Sequence, residues 1–143
     1  MKCSGPAVLL LFALPALGCA RQAGPPPISL GTPCSACGMD VADLRFACER
    51  KAGKAYRVYD SIECLLQDLG SHPRGAVYLS DYDQRTLHPA ESLWILKGRF
   101  PTPMDGGLAA FLSRAAAEDV SSTTHGRVGR WAEFAASKAE GTP

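Results

Sequence analysis

The order of apolar residues between positions 44 and 69 constrains the fold of this 143-residue chain most strongly. Apolar side chains alternate at Leu44, Phe46 and Cys48, which is the period of a half-buried strand. A turn and a second alternating stretch at 51–58 complete a predicted β-hairpin. The spacing then becomes that of an amphipathic helix with an apolar face of Ile62, Leu65, Leu66 and Leu69. We therefore predict a hairpin covered by a helix.

The predicted helix has recognisable start and stop signals. Asp60 lies three residues before Glu63, which is the spacing of a capping box. Gly70 and then Pro73 follow the last apolar position, and both residue types end helices. Asp60 is therefore predicted to cap the helix.

A second segment repeats this order of elements. Strands are predicted at 76–80 and 92–97, with a turn around Asp83, and a proline-rich loop follows at 100–104. Asp105 is predicted to cap a second helix whose apolar face is Leu108, Phe111, Leu112 and Ala115.

These patterns together predict an α+β fold made of two related β-β-α units. The units span about 34–73 and 74–138 within a folded domain at 34–143, and a short C-terminal helix carrying Trp131 and Phe134 closes the domain.

The N-terminal 18 residues are typical of a secretory signal. Lys2 supplies the positive charge, and the apolar run 7–17 is shorter than the roughly 20 residues that a membrane span needs. The run ends in Ala-Leu-Gly-Cys, which resembles a bacterial lipobox, so Cys19 is predicted to carry lipid and residues 19–33 to form a proline-rich tether. The expected location is the periplasmic side of the cell envelope, anchored to a membrane. A plain secretory signal cleaved near Gly18 is the alternative.

The charge balance argues against nucleic acid as a partner. Removing residues 1–18 takes away only Lys2 of the 15 basic residues, which leaves 14 basic and 14 acidic side chains. Nucleic-acid-binding proteins usually have a basic excess or a basic stripe, and here Lys and Arg are scattered along the chain.

Residues 34–39 have the pattern Cys-x-x-Cys-Gly-Met, which predicts a site for a soft metal ion. The thiols of Cys34 and Cys37 and the thioether of Met39 are sulfur donors on one short loop, a set that suits Cu(I). Zn(II) sites rarely use methionine and normally need a second ligand pair, and none with the spacing of a zinc motif follows. A structural disulfide or a thiol-disulfide oxidoreductase using Cys34 and Cys37 are the open alternatives.

Further donors are candidates elsewhere in the chain. Met104, between two turn-forming residues, is a second candidate thioether, and His125 in a polar loop is a candidate imidazole ligand. Cys48 and Cys64 are predicted to pack in the core, with a disulfide between them as the alternative.

The chain resembles the NosL family of copper-binding lipoproteins, which are associated with the maturation of nitrous oxide reductase. The matching segments begin at Cys19, Cys34, Tyr59, Val77, Pro103 and His125. The resemblance implies a fold of two related β-β-α units and a Cu(I) chaperone without catalytic turnover.

By position, the family likeness implies Cys37, Met39 and Met104 as copper ligands, with Cys34 and His125 as further candidates. The implied partners are apo nitrous oxide reductase and its membrane transporter complex. A general periplasmic copper carrier for another enzyme and a homodimeric state remain open.

Overall fold

A computed structural model describes residues 24–72 and 74–139 of the chain. The predicted signal at 1–18 and the lipidation site Cys19 lie outside the described residues, so lipidation and location stay predictions. Within the described residues, no helix combines the length and the apolar character needed to span a membrane.

The described residues form seven strands, three α-helices and a short 3-10 helix. In chain order these are β1 Cys48–Ala52, β2 Ala55–Tyr59, α1 Ile62–Ser71, β3 Val77–Ser80, β4 Leu87–Pro89, the 3-10 helix Ala90–Ser92, β5 Trp94–Lys97, β6 Leu108–Phe111, α2 Arg114–Thr124, β7 Arg127–Arg130 and α3 Trp131–Ala139.

The strands form two antiparallel sheets with the same internal order. The first sheet has the order β2-β1-β3-β4, and the second has the order β6-β5-β7. In both, a hairpin is followed by a helix and then by a strand that returns beside the first strand of the hairpin. The predicted α+β class is confirmed. In the first sheet the returning strand is β3, which pairs with β1 and places Leu79 opposite Cys48. The sequence pattern predicted this strand at the start of the second unit.

The first strand begins later than its sequence pattern predicts. Residues 44–46 form a turn, and the strand begins at Cys48 and runs through Lys51, which was predicted to turn. The Asp43 carboxylate accepts a hydrogen bond from the Arg45 backbone N–H at 3.0 Å and pairs with the Arg45 guanidinium at 2.6 Å. This local side-chain bonding favours a turn over a strand ladder.

The helix predicted after Asp105 is wrong, because residues 108–111 form strand β6. All four residues of β6 are buried, since the second sheet is covered on both faces. A strand of this kind is continuously apolar and does not alternate, so periodicity cannot distinguish it from a buried helix. The actual helix, α2, begins at Arg114 with Ser113 as its N-cap.

Two apolar clusters hold the layers together. The first joins the first sheet, α1 and α3 to one face of the second sheet and includes Tyr59, Leu65, Leu79, Ile95, Trp131 and Phe134. The second lies between the other face of the second sheet and α2 and includes Phe46, Leu96, Phe111 and Ala117. The short helix predicted around Trp131 and Phe134 is confirmed as α3.

Two glycines with similar backbone angles give a test of this packing. Gly107 and Gly53 have φ of +66° and +64°, so alanine at either site strains the backbone by about 1–2 kcal/mol. A Cβ at Gly107 would overlap the carbonyl oxygen of Gly98, whereas one at Gly53 meets nothing within 4 Å. We expect Gly107→Ala to lower the free energy of unfolding by about 1–3 kcal/mol more than Gly53→Ala, measured by denaturant titration. Equal losses would contradict the close approach of the two backbone segments.

Candidate metal centre

The cysteine loop at 34–39 is closed by its own backbone hydrogen bonds. The Cys34 N–H donates to the Met39 carbonyl at 2.8 Å, and the Gly38 N–H donates to the Cys34 carbonyl at 2.9 Å. Gly38 has φ of +77°, which glycine adopts more readily than other residues and which lets the loop reverse direction. The two ends of the predicted metal segment are therefore adjacent.

The loop is fixed against the edge of the first sheet. The Ser35 N–H donates to the Val58 carbonyl at 2.8 Å, and the Arg57 guanidinium donates to the Ser35 carbonyl at 3.0 Å. Both partners lie on β2, the edge strand of that sheet. The cysteine loop thus lies beside the point where β2 leads into α1.

Two further donor residues lie at this strand–helix junction. β2 ends at Tyr59 and α1 begins at Ile62, with Ser61 rather than Asp60 as the N-cap. The Ser61 hydroxyl accepts a hydrogen bond from the Cys64 N–H at 3.2 Å. The predicted capping role of Asp60 is therefore wrong, and its side chain is free to face the cysteine loop instead.

The candidate metal centre consists of Cys34, Cys37, Asp60 and Cys64. Their donor atoms all lie within 4.8 Å of one another. Three of the residues are buried and Cys37 is exposed. The Cys37 thiol also donates a weak hydrogen bond to Asp60 Oδ1 at 3.8 Å. Four ligand atoms this close together could hold one metal ion.

The buried carboxylate of Asp60 supports this interpretation. Asp60 is 1% exposed, and its Oδ2 has no hydrogen-bond partner among the described residues. Leaving a buried carboxylate oxygen unpaired costs free energy, so such an atom calls for an explanation. A bound cation would supply the missing partner.

Burial also affects the thiols of the centre. It raises the pKa of the Cys34 thiol, although nearby backbone hydrogen bonds lower it. It raises the pKa of the Cys64 thiol too, and hydrogen bonding to Asp60 and Cys37 adds to the increase. Because burial favours the protonated thiols of Cys34 and Cys64, a metal must displace those protons when it binds the sulfurs.

Cys48 lies close to the centre without belonging to it. Its thiol is fully buried and donates to the Ser61 carbonyl at 3.2 Å, which ties β1 to the strand–helix junction. Burial raises its pKa well above the ordinary value. The four described cysteines are all free thiols, so the alternative of a disulfide between Cys48 and Cys64 is not present.

Glu63, next to Cys64 in the sequence, binds the loop that carries Met104. Its Oε1 accepts hydrogen bonds from the Leu108 N–H at 3.1 Å and from the Thr102 hydroxyl at 3.3 Å. A Cβ at Gly106 would overlap the Glu63 side chain, so the loop lies directly on it. The loop between β5 and β6 is therefore held against the first turn of α1, one residue before Cys64.

The other predicted ligands lie outside the group of four. Met39 ends the cysteine loop and is 46% exposed, and Met104 is 39% exposed. His125 is the exposed C-cap of α2, with φ of +52°. No histidine belongs to the donor group found within the described residues. All three stay predictions as ligands.

Sequence reasoning missed Asp60 and Cys64. Asp60 was assigned to capping and Cys64 to packing, and each role was plausible for an isolated residue. The signal that could have found them is their spacing of four, which places both around the first turn of the helix, after a predicted strand.

The fold and the site define a class: a small α+β protein of two repeated units with a cysteine-rich centre at one strand–helix junction. No protein-family model matches the sequence, and no curated protein matches it. Among solved structures, the chain is similar to the crystal structure of the copper chaperone NosL from Shewanella denitrificans. The two share 17% identity with a TM-score of 0.65, over 76% of this chain and 96% of that one. The predicted NosL-like fold is therefore confirmed.

The two repeats offer matched tests of the N-cap beside the centre. Ser61 caps α1 and Ser113 caps α2, each through a hydrogen bond from the N–H three residues later. Alanine at either site should cost about 0.5–2 kcal/mol of stability. Only Ser61→Ala should also weaken metal binding, by about tenfold, because it loosens Cys64. Titration with Cd(II), followed by its thiolate charge-transfer absorption, measures this. Equal weakening in Ser113→Ala would show a general loss of stability instead.

Proposed function

We propose that this chain is a Cu(I)-binding metallochaperone without catalytic turnover. The observation that carries the proposal is the convergence of three cysteine sulfurs on one point. Cu(I) is a soft ion that prefers thiolate and thioether ligands. The proposed ligands are Cys34, Cys37 and Cys64.

The mixed exposure of the ligands suits transfer of the ion to a partner. Cys34 and Cys64 are buried, whereas Cys37 lies on the surface. An incoming ligand can replace an exposed donor first while the buried donors still hold the ion. Met39 and Met104, both partly exposed, are proposed as additional thioethers during exchange, with His125 as a further candidate.

The solved structure with this fold supports copper as the cargo, since that protein is a copper chaperone. The recipient proposed for this chain is apo nitrous oxide reductase, acting with a membrane transporter complex. A lipid on Cys19 would hold the chain on the periplasmic side of the membrane. These finer proposals rest on the sequence motifs, and a general copper carrier is the alternative.

Zinc is a second candidate, and the Asp60 carboxylate is the observation that favours it. Zn(II) forms tetrahedral sites with cysteine thiolates and accepts carboxylate oxygens, whereas Cu(I) prefers sulfur. The structure supplies the second ligand pair, Asp60 and Cys64, that the sequence did not reveal. A decisive experiment must therefore measure the contributions of the carboxylate and of the thiols to metal affinity with separate substitutions.

We expect competition titrations against a chromophoric chelator, without oxygen, to show one tight Cu(I) per chain. Cys64→Ser should weaken Cu(I) binding by more than about 100-fold, because it removes a ligand. Cys48→Ser is the matched control: this buried thiol lies outside the centre, and serine keeps its hydrogen bond to the Ser61 carbonyl.

In the same titrations, Asp60→Asn should leave Cu(I) affinity within about threefold and should lower Zn(II) affinity by about tenfold or more, because a carboxylate ligand matters to zinc alone. Tighter binding of Zn(II) than of Cu(I) by the unaltered chain would overturn the copper proposal and establish zinc.

A second test asks whether Glu63 positions Met104. Glu63→Ala removes the acceptor for the Leu108 N–H, whereas Glu63→Gln keeps it. We expect Glu63→Ala to weaken Cu(I) binding by about 3- to 30-fold and Glu63→Gln to change it little. In a Met104→Ala background, Glu63→Ala should have no added effect. Fully additive effects of the two substitutions would show that Glu63 does not act through Met104.

A further inference from the structure

The end of the domain opposite the metal centre is rich in basic side chains. The centre lies at the N-terminal end of α1, and a helix of ten residues is about 15 Å long. At the other end of α1, a surface cavity is lined by Arg50, Lys51, His72 and Arg74, among others. The turn between β1 and β2 borders the same cavity through Gly53 and carries Lys54. We call Lys51, Lys54, His72 and Arg74 the basic end.

Three cations of the basic end carry uncompensated charge. Lys51, Lys54 and Arg74 are exposed, and none takes part in an ion pair found within residues 24–72 and 74–139. The adjacent acid Asp68 is already shared between Arg50 at 2.7 Å, Arg57 at 3.4 Å and His72 at 3.5 Å. Lys51, Lys54 and Arg74 therefore give the basic end a positive charge that no neighbouring acid balances within the described residues.

The described chain begins beside the basic end. Gly24 and Pro25 line a cavity together with Lys51, Tyr56 and Tyr78. Cys19 precedes Gly24 by five residues, which can span at most about 18 Å. A lipid on Cys19 would therefore hold the basic end close to the membrane surface.

We propose that the basic end docks on anionic phospholipid headgroups and that the metal centre then faces away from the membrane. The orientation rests on the lipid anchor in the proposed function. Each surface Lys or Arg near an anionic bilayer adds to the attraction, which acts within about 8 Å at physiological salt. Exposed Cys37 is then presented to a soluble partner.

Hydrogen exchange of the full-length lipidated protein in vesicles tests this orientation. Vesicles of phosphatidylcholine are compared with vesicles that also contain phosphatidylglycerol. We expect the amides of residues 51–54 and 71–75 to exchange more slowly only on the anionic vesicles, and the protection to disappear at high salt. Equal exchange on both vesicles, or protection confined to other surfaces, overturns the proposal.

Charge-reversal variants test whether the protection depends on the basic end or on overall charge. Lys54→Glu with Arg74→Glu should lower the lipid-dependent protection by at least about 30-fold, because two attractions are lost and two repulsions are added. Lys97→Glu with Arg99→Glu reverses two other exposed cations and should leave it unchanged. Loss of protection in both double variants would indicate attraction by overall charge and would overturn docking at the basic end.

Cu(I) affinity measured on the same samples separates the two proposals. Normal Cu(I) binding without lipid-dependent protection overturns the docking alone. Protection without Cu(I) binding overturns the chaperone function alone.

Discussion

A buried ion pair between Arg50 and Asp68 fixes the helix on which the metal centre depends. The guanidinium of Arg50 lies 2.7 Å from Asp68, and the Tyr59 hydroxyl donates to the same oxygen at 2.6 Å. Burial alone would raise the pKa of Asp68, but these hydrogen bonds and the charge of Arg57 hold it below its usual value. Since Arg57 also binds the Ser35 carbonyl, one residue joins the cysteine loop to the helix. Hydrogen bonds from the Arg50 guanidinium to the Tyr59 hydroxyl and the Arg74 carbonyl offset part of the cost of burying this ion pair.

Within the described residues, the first of the two repeats carries the candidate metal centre and the second does not. Both hairpins lead into a helix through a serine N-cap two residues after the second strand. At matching positions the first repeat has Asp60 and Cys64, whereas the second has Leu112 and Ala116. The backbone geometry is therefore present twice, but among the described residues the group of four metal donors occurs only beside the first repeat's strand–helix junction. The second repeat contributes instead the loop that Glu63 holds against the first turn of α1, one residue before Cys64.

The sequence predicted helices α1 and α3 and the cysteine loop, and it missed features that tertiary contacts decide. Helix α1 follows from its amphipathic spacing, and the loop 34–39 follows from its cysteine pattern. Strand β6 was missed because it is buried on both faces and so has no alternation. Asp60 and Cys64 were missed because a capping or packing role explains each one alone. Their spacing of four places both around the start of α1, but their convergence on the cysteine loop depends on contacts between that loop and β2.

The arrangement of donors suits the metal exchange that the proposed function requires. A structural site normally encloses the ion with all its ligands, which holds it permanently. Here Cys34 and Cys64 are buried against the sheet and the helix, but Cys37 lies on the surface. The loop that bears Cys37 is held to β2 through Ser35 and to the core through Cys34, and Cys37 itself makes only a weak hydrogen bond to Asp60. For the proposed transfer of Cu(I), exchange would start at Cys37 and end at the two buried thiols.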